Sequence, residues 1–409
     1  MFRNFFKVAV RNIIREKFYT VINITGLSVG IVGCLLIGLY VSDELRYDRF
    51  HENKDRIVRM VMESKRGQNL NHWPVTGTKP GPFFSRTFPA IQSYVRMFLG
   101  SGVVGYGDKI FAEKKILYAD SSIFSIFSFP LIAGDQHTAL SSPENIILTR
   151  SMAEKYFGTE DPLGQSLRLD GENDFIVTGI AEDVPDHSQI HFDFLIQFSL
   201  LNGENNEEWF PANYLTYLLI DNEAAIQETE RRIDEYMKGL KEEELDLRQF
   251  DYATFHLEPL TRIHLHSNLD AMVPNGNLTY IYFLSIIAFL ILLVACINYT
   301  NLAVAQSSRR KKEMGMRKVL GARQNQLFQS FITESLLLAG IASVLAFILA
   351  IQLLPYFNSH SGKNLTQDAL INPEILLLLC ALWLVVGIFS GIYPAFLFTK
   401  IKLIQGLRK

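Results

Sequence analysis

The chain has 409 residues, 48% of them apolar, and a formal net charge of −3. It is richer in apolar residues than a typical soluble protein, and the excess is gathered into four blocks. Its three cysteines, Cys34, Cys296 and Cys380, all fall inside those blocks, which excludes a disulfide scaffold, and the near-neutral charge offers no footing for a nucleic-acid partner.

The first element is amphipathic. Arg3, Lys7, Arg11 and Arg15 recur every fourth residue, while Phe2, Phe5, Phe6, Ala9, Val10, Ile13, Ile14 and Phe18 take the other side. At 3.6 residues per turn this predicts a helix over 1–19 lying in the inner membrane interface against lipid. The first apolar run, Val21 to Val41, predicts a span over 20–42. Val41, Ser42 and Asp43 offer no small-x-small cleavage site, so the span reads as an uncleaved signal anchor.

Residues 43–278 read as a mixed α/β domain. Strands are expected at Ile57 to Val61, Ser93 to Phe98, Lys109 to Tyr118, Ile146 to Leu148, Phe192 to Phe198 and Phe255 to Leu257, and a short helix or turn ending over Phe83 to Phe88. Gln165 to Leu169 and Phe175 to Ile180 flank Asp170, Gly171, Glu172 and Asn173 as a hairpin. Ser151, with Glu154 three residues on, predicts a capped helix reaching Phe157. Glu223 to Glu244 reads as a charged surface helix, and Thr261 to Ser267 as an extended return to the membrane.

Three more spans follow, over 279–300, 327–355 and 374–398, on the runs Tyr280 to Tyr299, Leu327 to Leu354 and Ile375 to Phe398. Each run has the roughly 20 residues that cross about 30 Å of hydrocarbon. Between them lie a loop at 301–326 and an outer loop at 356–373, and a tail at 399–409 ends the chain.

Orientation follows from Lys and Arg near the spans. Arg3, Lys7, Arg11, Arg15 and Lys17 precede the first; Arg309, Arg310, Lys311, Lys312, Arg317, Lys318 and Arg323 fill 301–326; Lys400, Lys402, Arg408 and Lys409 follow the last. The outer loop has only Lys363. Asp43 to Thr279 holds 22 Lys and Arg against 37 Asp and Glu, a net charge of about −15. Both termini are therefore expected in the cytoplasm and the acidic domain outside. The expected fold class is an α-helical membrane protein with four transmembrane helices and a large extracytoplasmic α/β domain between the first and second.

Several motifs carry no chemistry. Gly100, Gly102 and Gly105 spell G-x-G-x-x-G, but a strand-like run follows instead of a helix that could present its N-terminus to phosphate. Gly102 to Lys109 nearly mimics a Walker loop, with Asp108 where lysine belongs. With no other P-loop, neither a catalytic residue nor a cofactor is expected. His264 and His266, and His187 and His191, read as surface histidines without a third metal ligand.

Within the spans, Gly26 and Gly30, and Gly387 and Gly391, have the G-x-x-x-G spacing that allows close helix packing. Glu334 is an intramembrane carboxylate, expected to pair with a basic residue of the preceding loop or to act in function. The loop itself holds Glu313, Gly315, Arg317, Lys318, Gly321 and Ala322 as E-x-G-x-R-K-x-x-G-A, with Met314, Met316, Val319 and Leu320 on its apolar side. Charges alone would fix topology; the glycines imply close packing or a sharp turn.

These motifs carry a resemblance. KKEMGMRKVLGAR at 311–323, Thr333 to Ser335 as TES, SGIYPAF at 390–396, RNIIREKFYTVINITGLSVGI at 11–31 and DELRYDRFHENKDRIVRM at 43–60 together resemble the MacB/FtsX-type permeases of ABC transporters, over essentially the whole chain. The resemblance implies a periplasmic core with a β-rich insertion at about 100–190 and an inner-membrane location. It also implies a separate cytoplasmic ABC ATPase gripping Arg309, Arg310, Glu313, Gly315, Arg317, Lys318 and Gly321. A homodimer or a second permease half, a periplasmic adaptor and an outer-membrane protein are the further expected partners. Long members repeat the unit twice; one copy occurs here, as in a half-size permease or the first half of a longer one. Two activities stay open: mechanical transmission that exports a substrate, or FtsX-like regulation of an envelope hydrolase. A membrane-bound enzyme would need an acid/base or metal constellation that the sequence does not display.

Overall fold

The computed structural model describes residues 2–202, 207–240, 251–269, 272–305, 316, 319 and 321–399. They form two compact units, one drawn from Met1–Asp43 and Thr279–Lys409, the other Glu44–Leu278.

In the first unit four helices are long and apolar enough to cross a membrane: Lys17–Leu45, Leu278–Ala305, Gln324–Ser361 and Pro373–Leu397. The helix Phe2–Arg15 precedes them. Its apolar side divides in two. Ala9 is buried and Ile13 packs against the helical core, whereas Phe6 and Ile14 stay exposed.

The third span outruns its apolar run at both ends. Gln324, Asn325 and Gln326 come before it, and Asn358, Ser359 and His360 after, so the added turns are polar and suit the headgroup region. The Gln326 side chain accepts the Arg323 backbone N–H at 3.0 Å, and Gly362 closes the other end in the left-handed region at φ +69°.

Small residues let the spans approach, because hydrocarbon supplies no hydrophobic drive between helices. Ala339, Ala342, Ala346 and Ala350 are buried with Leu27, Ile31 and Leu35, and the Ser28 hydroxyl donates to the Ala342 carbonyl at 3.1 Å. A Cβ added at Gly30 would stand 2.8 Å from Ala295 Cβ; at Gly387, 3.0 Å from Leu336 Cα; at Gly391, 2.7 Å from Ser335 Oγ. At Gly26 the nearest atom would be Asn298 Nδ2, 3.3 Å away.

The second unit is built on one sheet of eleven strands: β1 Ile57–Arg66, β2 Asn69–Trp73, β3 Ile91–Tyr106, β4 Lys109–Ala119, β5 Leu131–Ala133, β6 Asn145–Thr149, β7 Ser166–Leu169, β8 Asn173–Ala181, β9 Phe194–Gln197, β10 Leu215–Ile220 and β11 Tyr252–Pro259. Their order is β11-β1-β10-β3-β4-β9-β6-β8-β5, with β2 on β1 and β7 bridging β3 and β8. Residues 100–190, expected as an insertion, supply β4 to β8 and part of β3 to this same sheet, and most of one hydrophobic cluster around Val104, Ile146, Tyr156 and Phe175. A second cluster joins Met60, Phe84, Trp209, Ile233 and Phe255, and a third joins Val95, Leu117, Phe127, Phe192 and Ile263.

Three local expectations change. The helix Arg150–Phe157 has no capping box: Thr149 is its N-cap without a side-chain bond, and Ser151 gives its backbone N–H and its hydroxyl to Asp183, at 3.0 and 2.6 Å. A carboxylate from a distant segment thus satisfies the helix start. Thr261 to Ser267 is not extended but part of the helix Leu260–His266, whose buried Leu260, Ile263 and His264 follow i, i+3, i+4 spacing. Glu223 to Glu244 begins as a 3₁₀ turn and continues as the helix Ile226–Gly239; 241–250 lie outside the described residues.

Gly387→Val is expected to force the third and fourth spans apart and destabilise the protein by about 1–3 kcal/mol, the usual range for overpacking. Gly33→Ala, whose new carbon would meet Ile291 side-chain atoms at 3.8 Å, should be near neutral. Thermal unfolding of both variants in detergent checks this.

Candidate functional site

Of the residues expected to meet the ATPase, Arg309, Arg310, Glu313, Gly315, Arg317 and Lys318 lie outside the described residues. Gly321 is described. Its φ of +91° requires glycine, and no described residue stands within 4 Å of where a Cβ would be, so it serves a turn. Arg323 caps the third span two residues later. Glu334 is buried on that span, and its Oε2 accepts from Asn12 Nδ2 of the N-terminal helix at 3.2 Å. The carboxylate on the third span and the N-terminal helix are thereby joined.

A buried polar site in the second unit is built by ELRYDRFH, 44–51. Glu44 closes the helix Lys17–Leu45 and is only 4% exposed, yet its Oε2 lies 2.9 Å from His264 Nε2. The Gln189 amide approaches Nδ1 of that imidazole at 3.4 Å and reaches Asn275 Oδ1 at 3.1 Å. With Nδ1 accepting from Gln189, the Nε2 proton goes to Glu44. Tyr47 stacks on the same ring, centroids 3.5 Å apart and planes within 2°. Gly276 makes room for all this: a Cβ there would lie 2.5 Å from Glu44 Oε2 and 2.7 Å from His264 Nε2.

These contacts bring together the two places where the chain passes between the units. Glu44 follows the first span, and Gly276 stands two residues ahead of the helix Leu278–Ala305. Both touch one buried imidazole.

Asp48 extends the network. At φ +56° it takes a left-handed conformation that Asp tolerates, donates its N–H to the His187 carbonyl and accepts the Gln189 N–H on Oδ1 at 2.8 Å. Burial pushes its carboxyl up to about 7. His51 accepts the Ser128 N–H on Nδ1 at 3.1 Å, and burial lowers it to about 4, so it is neutral at physiological pH.

The expected surface histidines therefore divide. His264 is buried and paired, a correction whose cause is the helix: two residues apart on a helix, His264 and His266 point to different sides, and only His266 is exposed. His187 and His191 are half-buried, and burial holds His191 below its ordinary range. The G-x-G-x-x-G stretch lies in β3 and its turn into β4, beside an open cavity of about 900 Å³ lined by Gly105, Tyr106, Arg168 and Asp170. No helix starts there. Sequence reasoning also missed Glu63, His72 and His256, which converge across three strands; only the strand pairing brings them near one another.

His264→Ala removes the partner that holds Glu44 in a buried setting and is expected to cost about 3–5 kcal/mol. Gly276→Ala, which crowds the same pair, should lower the melting temperature in the same direction. For Asp48 the folded value is raised, so the stability it contributes is fully present below about pH 4 and is lost as pH rises through about 7. Asp48→Asn should match the parent protein near pH 4 and be more stable at pH 8, by at most about 4 kcal/mol. Melting curves across that range give the test.

Residues 20–236 match the MacB-like periplasmic core domain, and residues 285–403 match the FtsX-like permease C-terminal domain. A protein named macrolide export ATP-binding/permease protein MacB from Bdellovibrio bacteriovorus is 23% identical over 64% of this chain and 38% of its own length. The protein of the same name from Pasteurella multocida is 20% identical over 80% of this chain and 47% of its own. The chain thus spans less than half the length of these relatives. Among solved structures, a domain assigned to a permease protein of Porphyromonas gingivalis covers 54% of this chain and 95% of that one, at 22% identity and TM-score 0.44. The periplasmic region of MacB from Actinobacillus actinomycetemcomitans covers 51% and 91%, at 16% identity and TM-score 0.37. With the core-domain match alone spanning more than half of its residues, the chain belongs to the MacB/FtsX family of ABC transporter permeases.

Proposed function

We propose that this chain is the permease subunit of an ABC transporter whose ATPase is a separate cytoplasmic protein, and that it transmits the ATPase's motion to the extracytoplasmic domain to export a substrate. The observation that carries the reading is the order of parts: one span, a core domain, then three spans, with both family matches in that order.

The ATPase seats on 301–326. Seven basic residues hold that loop in the cytoplasm, and Glu313, Gly315, Arg317, Lys318 and Gly321 supply the contact segment. ATP-driven closure tilts the spans. Glu44, which pairs with His264, lies on the helix Lys17–Leu45, so in this scheme the first span reaches the domain through Glu44. Two permease copies, or this chain with a second permease half, complete the machine. Much of the helix Leu278–Ala305 is free to meet lipid or such a partner, with Phe283, Ile286, Phe289, Leu290 and Val294 exposed. The N and C termini are cytoplasmic in this scheme, and the substrate is collected outside the inner membrane, with an adaptor and an outer-membrane protein as envelope partners.

Charge reversal at Arg317 and Lys318 together is expected to abolish co-purification of the ATPase in mild detergent while membrane insertion stays normal. Unchanged co-purification and unchanged export in that variant would overturn the reading. Identification of the envelope proteins in the same preparation separates export from regulation: an adaptor supports export, whereas a cell-wall hydrolase, with no substrate accumulating in a deletion strain, supports the FtsX-like activity.

A further inference from the structure

We propose that Glu63, His72 and His256 form a binding site for a divalent transition metal of the Zn²⁺ class on the extracytoplasmic domain. The strand pairing puts them together. Glu63 on β1 stands directly opposite His72 on β2 and Thr254 on β11, and Val61 stands opposite His256. Cross-strand partners share a face, and so do residues two apart on one strand, so all three side chains rise from the same side of three adjacent strands. Their ligand atoms lie within 4.8 Å of one another, the one such group of three among the described residues.

The distances suit a metal. Two ligands bound tetrahedrally to Zn²⁺ at about 2.0–2.1 Å sit about 3.3 Å apart. Glu63 Oε2 is 3.1 Å from His256 Nε2 and 3.7 Å from His72 Nε2. Two imidazoles and one carboxylate are a donor set favoured by Zn²⁺, and three protein ligands leave a fourth position for water. His72 is 42% exposed and β2 is exposed at every residue, so the metal has a path in and the fourth position faces solvent.

The surrounding groups are arranged as supports for ligands. The other nitrogen of His256, Nδ1, lies 2.8 Å from Glu230 Oε1 of the helix Ile226–Gly239, the carboxylate–histidine arrangement that fixes which nitrogen faces a metal. The Tyr252 hydroxyl donates to Glu63 Oε1, which leaves Oε2 turned toward both imidazoles. An ordinary ion pair would need only one carboxylate on His256. It would give no reason for His72, on a separate strand, to aim Nε2 at the same oxygen. Bound there, the metal would tie the exposed strand β2 to β1 and β11.

The test uses the full chain in detergent, purified on a histidine-free tag and stripped with a chelator. Zn²⁺ is titrated against a chromophoric competitor, and Co²⁺ is added separately to read its coordination from visible absorption. One Zn²⁺ per chain and a tetrahedral Co²⁺ spectrum are expected. His72→Ala, on an exposed strand where folding is not at stake, and Glu63→Gln should each weaken binding at least about tenfold, while His137→Ala, exposed in the loop after β5, should not. Equal affinity in the parent protein and His72→Ala, or no binding in competition, would overturn the proposal and leave His256 as an ion-pair partner of Glu63 and Glu230.

Discussion

The hydrocarbon of a bilayer offers no hydrogen-bond partner to a backbone, and everything in this chain is arranged around that fact. It forces the four apolar runs into helices that satisfy themselves. The chain's charge is divided as well, with basic residues gathered in the segments beside the spans and an acidic excess in the domain between the first and second. A domain inserted between the first and second spans must then begin and end at the membrane. Glu44 and Gly276 stand at that beginning and end. Within the domain those two ends are close together, both against His264.

That closeness explains why a polar network sits at the crossings. Apolar packing tolerates repacking and slides, whereas a buried ionisable pair has one good geometry and is costly to break. Glu44 and His264 are both nearly inaccessible, with Tyr47 stacked on the ring and Gln189 fixing its other nitrogen. Glycine at 276 is the condition for the fit. Arg59, fully buried on β1, repeats the pattern a little further into the domain, bonding Glu258 at 2.6 Å and the Ser267 hydroxyl at 3.0 Å. Glu44 and Arg59 are therefore polar anchors aimed at the segment that returns the chain to the spans, while Asp48 and His51 hold the chain to the 187–189 turn and to Ser128.

How much of this was legible depended on whether the signal was local. The spans were, because twenty apolar residues in a row have one reading. The hairpin across 170–173 and the strand from Lys109 were, because a turn and an alternation mark them. The strand β10 was not: Leu215–Ile220 is buried at all six positions, so it lies between β1 and β3 with no alternation to betray it. The capping of the helix at Arg150 was misread because Asp183, thirty residues away, does what Glu154 was expected to do. His264 was misread through its setting: an alternating T-R-I-H-L-H looks extended until Leu260 and Ile263 bury one side of a helix. Every site that mattered in the domain is made by residues far apart in sequence, and no spacing rule reaches across 220 positions from Glu44 to His264.

A helix transmits tilt only while its hydrogen bonds are unbroken, and the helix Lys17–Leu45 has no proline in it, whereas the third and fourth spans carry Pro355 and Pro394. The first span thus lacks the proline that lets the third and fourth bend. On the third span, Glu334 is bonded to Asn12 of the helix that leads into the first. Each of the two units thus has a buried carboxylate held by a neighbour from a distant part of the chain, Glu334 by Asn12 and Glu44 by His264.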